Sequence, residues 1–352
     1  MDNILLEDLE KISNSDICFE KYKNKTFLIT GGTGLIGSLL IKSLLYCDKK
    51  YKLNIKICAI VRDKNKALEI LSEYDNNKII HYYICDIEKD DIVIDEKIDY
   101  IIHSASVTRS KYMIEHPVKV FNTLTIGTKK MLDIAVANET ETFVFISSME
   151  VYGQIECNGK VYEDKLGYVE LNNPRSCYPE GKRACECLCH AYMSEYGLNV
   201  KVARLAQTFG PGILKDENRV FAQFAKSAIN NENIILHTDG SSEGNYVYTR
   251  DAIRGILYLL NKGQKGGTYN ISNEECHYTI KKMAELVAKE ICDNSINVVI
   301  DIPDNNEKLG YAPAVKMWLD SSKMREIGWK PEVGMVEAYS RMIDWIKYQQ
   351  KM

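Results

Sequence analysis

Residues 26–37, TFLITGGTGLIG, run from a short apolar segment through a cluster of glycines into a helical pattern. Gly32, Gly34 and Gly37 fit the spacing G-x-G-x-x-G, and Gly31, Gly34 and Gly37 fit G-x-x-G-x-x-G. Residues without Cβ permit a tight turn, close approach of the backbone to a pyrophosphate and close packing of helix on strand. We therefore expect a dinucleotide cofactor to bind here, at the helix N-terminus. The expected contacts are Gly31, Gly32, Thr33, Gly34, Leu35, Ile36 and Gly37.

Apolar strand patterns and helical patterns alternate on the C-terminal side of the glycine cluster. The expected strands after the first are Asn54–Val61, Ile79–Ile84, Tyr100–His103, Thr142–Ser147 and Val200–Leu205, and the expected helices include Leu35–Cys47, Lys64–Tyr74, Lys111–Ala137 and Cys177–Tyr196. This alternation is typical of right-handed crossovers and a parallel sheet with helices on both faces. The sequence predicts an α/β fold, a Rossmann doubly wound parallel sheet with a smaller mixed α/β C-terminal substrate-binding domain.

The pattern divides the chain into three parts. Residues 1–24 are expected to form an N-terminal helical extension that packs on the main domain. Residues 25–208 form the NAD(P)-binding Rossmann domain, to which 245–262 return. Residues 209–244 and 263–352 form the substrate-binding domain.

Composition excludes several classes of partner. The 352 residues include 45 basic and 49 acidic side chains, for a net charge of −4. This net charge produces no positive electrostatic field that would attract nucleic acid or an anionic membrane surface. No apolar run is long enough to span a bilayer, and the acidic start lacks a signal-peptide pattern. We therefore expect a cytoplasmic protein whose eleven cysteines are reduced thiols.

Polar residues come directly after the expected strands, at the edge of the sheet where ligands of such folds bind. An acidic residue after the second strand would accept hydrogen bonds from the adenosine ribose, whereas a basic one would accommodate a 2′-phosphate. Both Arg62 and Asp63 stand there, so NAD is expected while NADP stays open. The further expected cofactor contacts are Asp86, Ile87, Ser104, Ala105, Ser106 and Ser147.

Tyr178 and Lys182 lie one helical turn apart, on the same face of an expected helix. A phenol with its ordinary pKa of about 10 is a poor base at neutral pH, and a nearby ammonium would lower that pKa. Ser148 and Glu150 come after the fifth strand at the cofactor edge. A hydroxyl and a carboxylate there are suited to hydrogen bonding with the reacting oxygen and to acid–base work. The candidate catalytic residues are Ser148, Glu150, Tyr178 and Lys182, and Tyr178 and Lys182 are also expected to contact the cofactor.

These motifs resemble, in order and spacing, those of the extended short-chain dehydrogenase/reductase family of NAD-dependent epimerases and dehydratases. The similarity covers roughly residues 25–345, including RLAQTFGP (204–211) and the segment LDSSK (319–323). Within the family, NPRSCYPEGKR (173–183) most resembles UDP-glucuronate decarboxylases. The resemblance implies a nucleotide-sugar substrate, oxidation at C4 with Tyr178 as the base, and a 4-keto intermediate.

Members of the family differ in the fate of that 4-keto intermediate. The resemblance implies a lyase, a decarboxylase or a dehydratase, because both carry Glu at the position of Glu150 while simple 4-epimerases usually do not. It also implies a place in bacterial surface-polysaccharide precursor synthesis. The alternatives are a nucleotide-sugar epimerase and a non-catalytic, cofactor-sensing protein of the same fold. The sugar and the nucleotide stay open.

The chain departs from the family at four positions. Leu124 and Gln207 stand where the family has Asn, and the other two departures concern the sugar and the diphosphate. Met149 stands where the dehydratases have an acidic residue, and a thioether cannot protonate a leaving hydroxyl. Gly244 stands where an arginine commonly holds the diphosphate, so that Arg219 or Arg250 would have to replace it. The expected substrate contacts are Thr108, Met149, Gln207, Arg219, Tyr248 and Arg250.

Two further expectations concern metals and assembly. Cys185 and Cys189 share one face of a helix while Cys187 points away, so these thiols are not expected to bind a metal. The resemblance implies a homodimer in which the helical regions 111–137 and 177–196 pack against their symmetry mates as a four-helix bundle.

Overall fold

The computed structural model describes residues 3–75, 79–155, 159–214, 217–302 and 315–350. Up to residue 205, strands and helices alternate as the sequence predicts. The elements are α1 (Asn3–Ser13), β1 (Thr26–Thr30), α2 (Leu35–Tyr51), β2 (Lys56–Val61), α3 (Lys64–Leu71), β3 (Ile80–Ile84), β4 (Tyr100–His103), α4 (Ser110–Glu115), α5 (Pro117–Ala137), β5 (Thr142–Ser148), α6 (Cys177–Tyr196) and β6 (Val200–Leu205).

The rest of the chain contains shorter strands and the C-terminal helices. These elements are β7 (Gln207–Phe209), α7 (Val220–Asn230), β8 (Ile234–Leu236), β9 (Glu243–Tyr248), α8 (Thr249–Lys262), β10 (Thr268–Ile271), β11 (Asn273–Thr279), α9 (Ile280–Leu286), β12 (Val298–Ile300), α10 (Ser322–Glu326) and α11 (Met335–Gln350). Residues 303–314 of the expected substrate-binding part lie outside the described residues.

Seven parallel strands form the central sheet in the order β10-β6-β5-β4-β1-β2-β3. Side chains of β1 alternate between its two faces, so that Phe27 and Ile29 join the cluster with α1, α2 and α8, while Leu28 joins the cluster with α5 and α6. A parallel sheet covered on both faces explains the nearly continuous apolar strands. The Rossmann doubly wound sheet predicted from the sequence is thus confirmed.

The prediction of one long helical region over Lys111–Ala137 is wrong in one respect, because the structure has two helices there. They meet at His116, whose φ of −136° and ψ of 52° are not helical, and Pro117 starts α5. A proline disfavours the helical conformation of the residue before it and lacks the N–H that would continue the ladder. Among the described residues, no helix has the length and apolar character to cross a membrane.

The smaller part of the molecule is built around a three-stranded sheet, β11-β9-β7, and its own core. Phe209, Phe221 and Tyr339 meet in that core, with ring centroids 5.2 Å apart for each contact of Phe209. β10 belongs to the central sheet as the neighbour of β6, although the sequence placed residues 268–271 in the substrate-binding part. Its backbone completes the edge of the parallel sheet, which periodicity alone does not reveal.

The N-terminal helix α1 packs on α2, α8 and α11. Leu5, Leu9 and Ile12 are buried along its inner face. The expected extension that packs on the main domain therefore has both an apolar face and, through α11, a contact with the C-terminal part.

Candidate active site

The glycine cluster forms a turn that closes tightly between β1 and α2. Gly31 has a φ of +70°, and a Cβ built there would lie 3.0 Å from the Cα of Ala105. A Cβ on Gly37 would lie 2.3 Å from the Gly31 carbonyl oxygen. Gly34 caps α2, and its N–H donates to the Gly31 carbonyl oxygen (2.9 Å). The N–H groups at the start of α2 lack intrahelical partners, so the segment containing Thr33, Leu35 and Ile36 fits a diphosphate.

Thr30, the last residue of β1, ties this turn to the end of β4. Its hydroxyl oxygen accepts the N–H groups of Ser104 (3.1 Å) and Ala105 (3.0 Å), and the Ser104 hydroxyl donates to the Thr30 carbonyl oxygen (2.6 Å). The structure therefore brings the predicted cofactor residues after β4 directly beside the glycine turn. His103, the last residue of β4, is buried with both ring nitrogens bonded to threonine hydroxyls.

The predicted adenosine-binding residues have different environments. Asp63 caps α3, with its carboxylate accepting the Lys66 N–H (3.0 Å), while Arg62 is exposed. Asp86 accepts the Glu88 N–H through its carboxylate (3.0 Å). Ile87 is buried against Gly127 of α5, so its side chain supports the core. Of the charged residues predicted to contact the adenosine, Arg62 and Asp63 are exposed and Asp86 is half-buried.

Tyr178, Lys182, Ser148 and Ser106 converge where β4, β5 and α6 meet. Lys182 is buried, its ammonium donates to the Ile146 carbonyl oxygen (2.7 Å), and its Nζ lies 5.8 Å from the centroid of the Tyr178 ring. The hydroxyls of Ser148 and Ser106 lie beside the phenol and lower its pKa. Ser147, by contrast, donates its hydroxyl proton to Glu186 (2.5 Å).

The protonation of the pair differs from the expectation. Burial raises the pKa of the Tyr178 phenol to about 12, and the charge of Glu150 adds to this rise, while bonds from Ser148 and Ser106 oppose it. Burial also lowers the pKa of Lys182 to about 8. In the protein alone the pKa of the phenol is therefore raised and not lowered, because removing a phenol from water disfavours its charged form.

Glu150 forms an ion pair that sequence reasoning missed. Its carboxylate lies 2.8 Å from Nη2 of Arg175, and the Arg175 guanidinium lies 5.8 Å from the centroid of the Tyr178 ring. The side chain of Asn173 accepts the Arg175 N–H (2.9 Å) and holds the short 3₁₀ turn Pro174–Ser176 in place. The signal for Arg175 was its position three residues before Tyr178, one turn from the candidate catalytic phenol.

Met149 faces the smaller part of the molecule. Its side chain is buried, and its Cε lies 3.7 Å from the Cβ position of Gly244 at the start of β9. Gln207 begins β7 and pairs in register with Tyr246 of β9. An arginine at residue 244 would project toward Met149. In its absence, Arg175 is the cation that pairs with the Glu150 carboxylate.

Several predicted substrate contacts have other partners or are exposed. The Tyr248 hydroxyl donates to the Asp8 carboxylate (2.7 Å), and Arg250 lies 3.4 Å from the same carboxylate. Arg219 pairs with Glu217 (2.7 Å). Thr108 is exposed beyond β4. β9 starts beside Met149 and ends at Tyr248, so Tyr248 and Arg250 lie at the far end of the strand from the candidate catalytic group.

Comparisons with known proteins agree with this geometry. Residues 27–272 match the family described as the NAD dependent epimerase/dehydratase family. UDP-glucuronic acid decarboxylase 1 of Danio rerio is 28% identical over 347 residues, covering 96% of this chain and 78% of the relative. dTDP-D-glucose 4,6-dehydratase of Homo sapiens is 26% identical, covering 92% and 90%. The fold matches that of a dTDP-glucose 4,6-dehydratase from Streptomyces venezuelae solved with NAD bound, with a TM-score of 0.75, 23% identity, and coverage of 93% and 98%.

Proposed function

The chain belongs to the NAD-dependent epimerase/dehydratase family, and from that membership we propose that it is a nucleotide-sugar lyase, foremost a decarboxylase of a nucleotide-activated hexuronate. This proposal rests on the side chains that converge at the cofactor edge, which are Tyr178, Lys182, Ser148 and the Glu150–Arg175 pair. UDP-glucuronic acid decarboxylases and dTDP-glucose dehydratases among the relatives support the same class of substrate.

Tyr178 is the base in this proposal. Its phenol takes the proton of the sugar C4 hydroxyl, and the hydroxyls of Ser148 and Ser106 beside it favour the ionised phenol. Since the pKa of the phenol in the protein alone is about 12, the group is protonated at neutral pH until further positive charge is brought to the site. Bound NAD supplies a hydride acceptor and the positive charge of its nicotinamide ring.

The Glu150–Arg175 pair suits a substrate with a carboxylate at C6. Oxidation at C4 makes such a sugar a β-keto acid, whose C5–C6 bond breaks as carbon dioxide leaves and the electron pair enters the enolate of the ketone. A proton then adds at C5, and return of the hydride to C4 gives a pentose that is lighter by carbon dioxide alone. Arg175 can exchange its bond with Glu150 for one with the substrate carboxylate, because a guanidinium presents several donors to carboxylates. Ser148 is in reach to hydrogen-bond the developing enolate oxygen.

Dehydration is less well supported by the same residues. Loss of a C6 hydroxyl requires a proton donor, and the buried thioether of Met149 has none to give. Decarboxylation has no such requirement. The proposed setting is the cytoplasm, in the synthesis of bacterial surface-polysaccharide precursors.

Mass spectrometry of purified protein incubated with NAD and a panel of UDP-, CDP-, GDP- and dTDP-sugars, including UDP-glucuronate, tests the proposal. We expect a hexuronate to lose about 44 mass units as carbon dioxide, whereas loss of about 18 would show dehydration instead. A new isomer of unchanged mass, detected by NMR, would show an epimerase and overturn the lyase proposal.

A pair of variants ties the activity to this site. Tyr178→Phe removes the base and should lower kcat by at least about 100-fold. Cys187→Ser, on the exposed face of the same helix, should leave kcat unchanged. Equal activity of Tyr178→Phe and the wild type would exclude the proposed role of the phenol.

A further inference from the structure

We propose that the adenosine end of the dinucleotide site also accepts a 2′-phosphate, so that the protein binds NADP as well as NAD, with Arg62 as the residue that holds the phosphate. This inference deepens the proposed function and rests on its dinucleotide site. It concerns which form of the cofactor the chain accepts, and it does not depend on the chemistry at the sugar.

The position of Arg62 is fixed by the contact between β2 and the glycine turn. Cγ1 of Val61, the last residue of β2, lies 3.2 Å from the Cβ position of Gly32. Arg62 is the next residue along the chain and is exposed. In dinucleotide folds, the residues at the end of this strand face the adenosine ribose, where an acid selects NAD and an arginine accommodates the 2′-phosphate.

One carboxylate oxygen of the acidic residue next to Arg62 is bonded to the backbone. The Asp63 carboxylate accepts the Lys66 N–H (3.0 Å), and the Asp63 carbonyl oxygen accepts the Ala67 N–H (3.1 Å). This is the N-cap of α3, an arrangement that satisfies a free N–H of the first turn. A ribose hydroxyl would have to share that carboxylate with the helix.

The acid on the neighbouring strand is engaged in a similar way. The Cys85 N–H donates to the Val61 carbonyl oxygen (3.0 Å), which places Asp86 beside the end of β2. The Asp86 carboxylate accepts the Glu88 N–H (3.0 Å). Asp63 and Asp86 are therefore both already engaged as acceptors at this edge.

The segment that begins with Arg62 is basic. Residues 62–66 contain Arg62, Lys64 and Lys66 against the single acid Asp63. No hydrogen bond or ion pair joins the Arg62 guanidinium to another residue in the described part of the chain. A guanidinium binds phosphate through two parallel hydrogen bonds, and here it would do so without first giving up an internal partner.

Isothermal titration of the full-length protein with NAD⁺ and with NADP⁺ tests the inference. We expect the two Kd values to agree within about 10-fold, and Arg62→Ala to weaken NADP⁺ by about 10- to 100-fold while changing NAD⁺ by less than about threefold. Lys49→Ala, which removes a cation at the far end of α2, should change neither Kd. Asp63→Asn keeps a capping side chain and removes the charge, so it should strengthen NADP⁺ binding.

The outcomes separate this inference from the proposed function. If NAD⁺ binds and NADP⁺ does not, or if Arg62→Ala weakens both equally, the 2′-phosphate inference is wrong and the proposed function stands. If Asp63→Asn weakens NAD⁺ alone, Asp63 is the ribose acceptor and the inference also fails. If the folded protein binds neither dinucleotide, the proposed function itself fails.

Discussion

At the residue scale, the hydrogen-bond partners of buried His103 determine which of its ring nitrogens carries the proton. The Thr30 hydroxyl oxygen already accepts two N–H groups, so its own proton points to Nδ1 of His103, 2.7 Å away. Nε2 then carries the imidazole proton and faces the Thr128 hydroxyl (3.1 Å), which donates to the Cys185 thiol (3.3 Å). This chain of bonds links the glycine turn to α6 and is complete with a neutral ring.

The neutral state of His103 predicts acid sensitivity. Burial lowers the pKa of His103 from 6.5 to about 3, so below about pH 6.5 the unfolded chain takes up a proton that the folded chain does not. The free energy of unfolding should therefore fall as the pH falls from about 6.5 toward 3, by up to about 1.4 kcal/mol per pH unit from this group.

Urea denaturation from pH 7.5 to pH 4 measures this slope. For His103→Asn, the free energy of unfolding should change less with pH than it does for the wild type, whatever the absolute stability of the variant. For His237→Asn, at an exposed imidazole, it should change with pH as in the wild type. Identical slopes for His103→Asn and the wild type would exclude His103 as the source.

Arg175 carries a prediction about substrate charge. Arg175→Gln should lower kcat/KM for a hexuronate by at least about 30-fold, since a charge-assisted bond contributes about 2–3 kcal/mol. For a neutral hexose with the same nucleotide, the effect should be much smaller. Steady-state kinetics on both substrates measure the difference, with Arg325→Gln, an exposed ion-paired arginine, as the control. An equal loss on both substrates would mean that Arg175 stabilises the structure and does not bind the substrate carboxylate.

At the scale of elements, α1 connects the cofactor-binding part of the molecule to the smaller part. Its Asp8 is buried and receives bonds from Tyr248 at the end of β9 (2.7 Å) and from Arg341 of α11 (2.9 Å). Arg341 also donates to the carbonyl oxygen of Ile4 (3.2 Å). These bonds join the N-terminal extension to two elements of the smaller part, while α1 itself packs on α2 of the cofactor-binding part.

Asp8→Asn should destabilise the protein. The change removes the negative charge that faces two buried or partly buried arginines, and breaking such a pair costs about 2–4 kcal/mol. Urea denaturation at pH 7.5 should show a lower midpoint with an unchanged slope. Glu10→Gln, on the exposed side of the same helix, is the matched control and should leave the free energy of unfolding within about 0.5 kcal/mol of the wild type.

At the scale of the whole molecule, α5 and α6 pack side by side and leave an apolar surface uncovered. Val118 and Leu171 are 72% and 74% exposed, and Phe121 is partly exposed beside them. With Cys177 and Glu180, these residues line a groove of about 380 Å³ at the end of the helix pair. Exposed apolar patches of this kind mark interaction surfaces, which supports the predicted homodimer built on these two helices.

Light scattering tests the homodimer. At micromolar concentration we expect a mass of about twice the 40.2 kDa chain. Phe121→Asp should yield a monomer, because it places a charge in a symmetric apolar contact, whereas Leu68→Asp, at an exposed apolar residue of α3, should leave the dimer intact. A wild-type monomer under these conditions would contradict the four-helix bundle.

The sequence by itself determined the parallel sheet, the glycine turn and the placing of Tyr178 and Lys182. These depend on local physics, since strand and helix periodicity, the need for residues without Cβ and the spacing of one helical turn all act over a few neighbouring residues. The tertiary structure alone decided the Glu150–Arg175 pair, the addition of β10 to the central sheet, and the bond between Asp8 and Tyr248. The two side-chain contacts join residues 25 and 240 positions apart, and the pKa values of Tyr178 and Lys182 result from their burial. Neither long-range contact nor burial is a property of local spacing, because both arise when distant segments exclude water together.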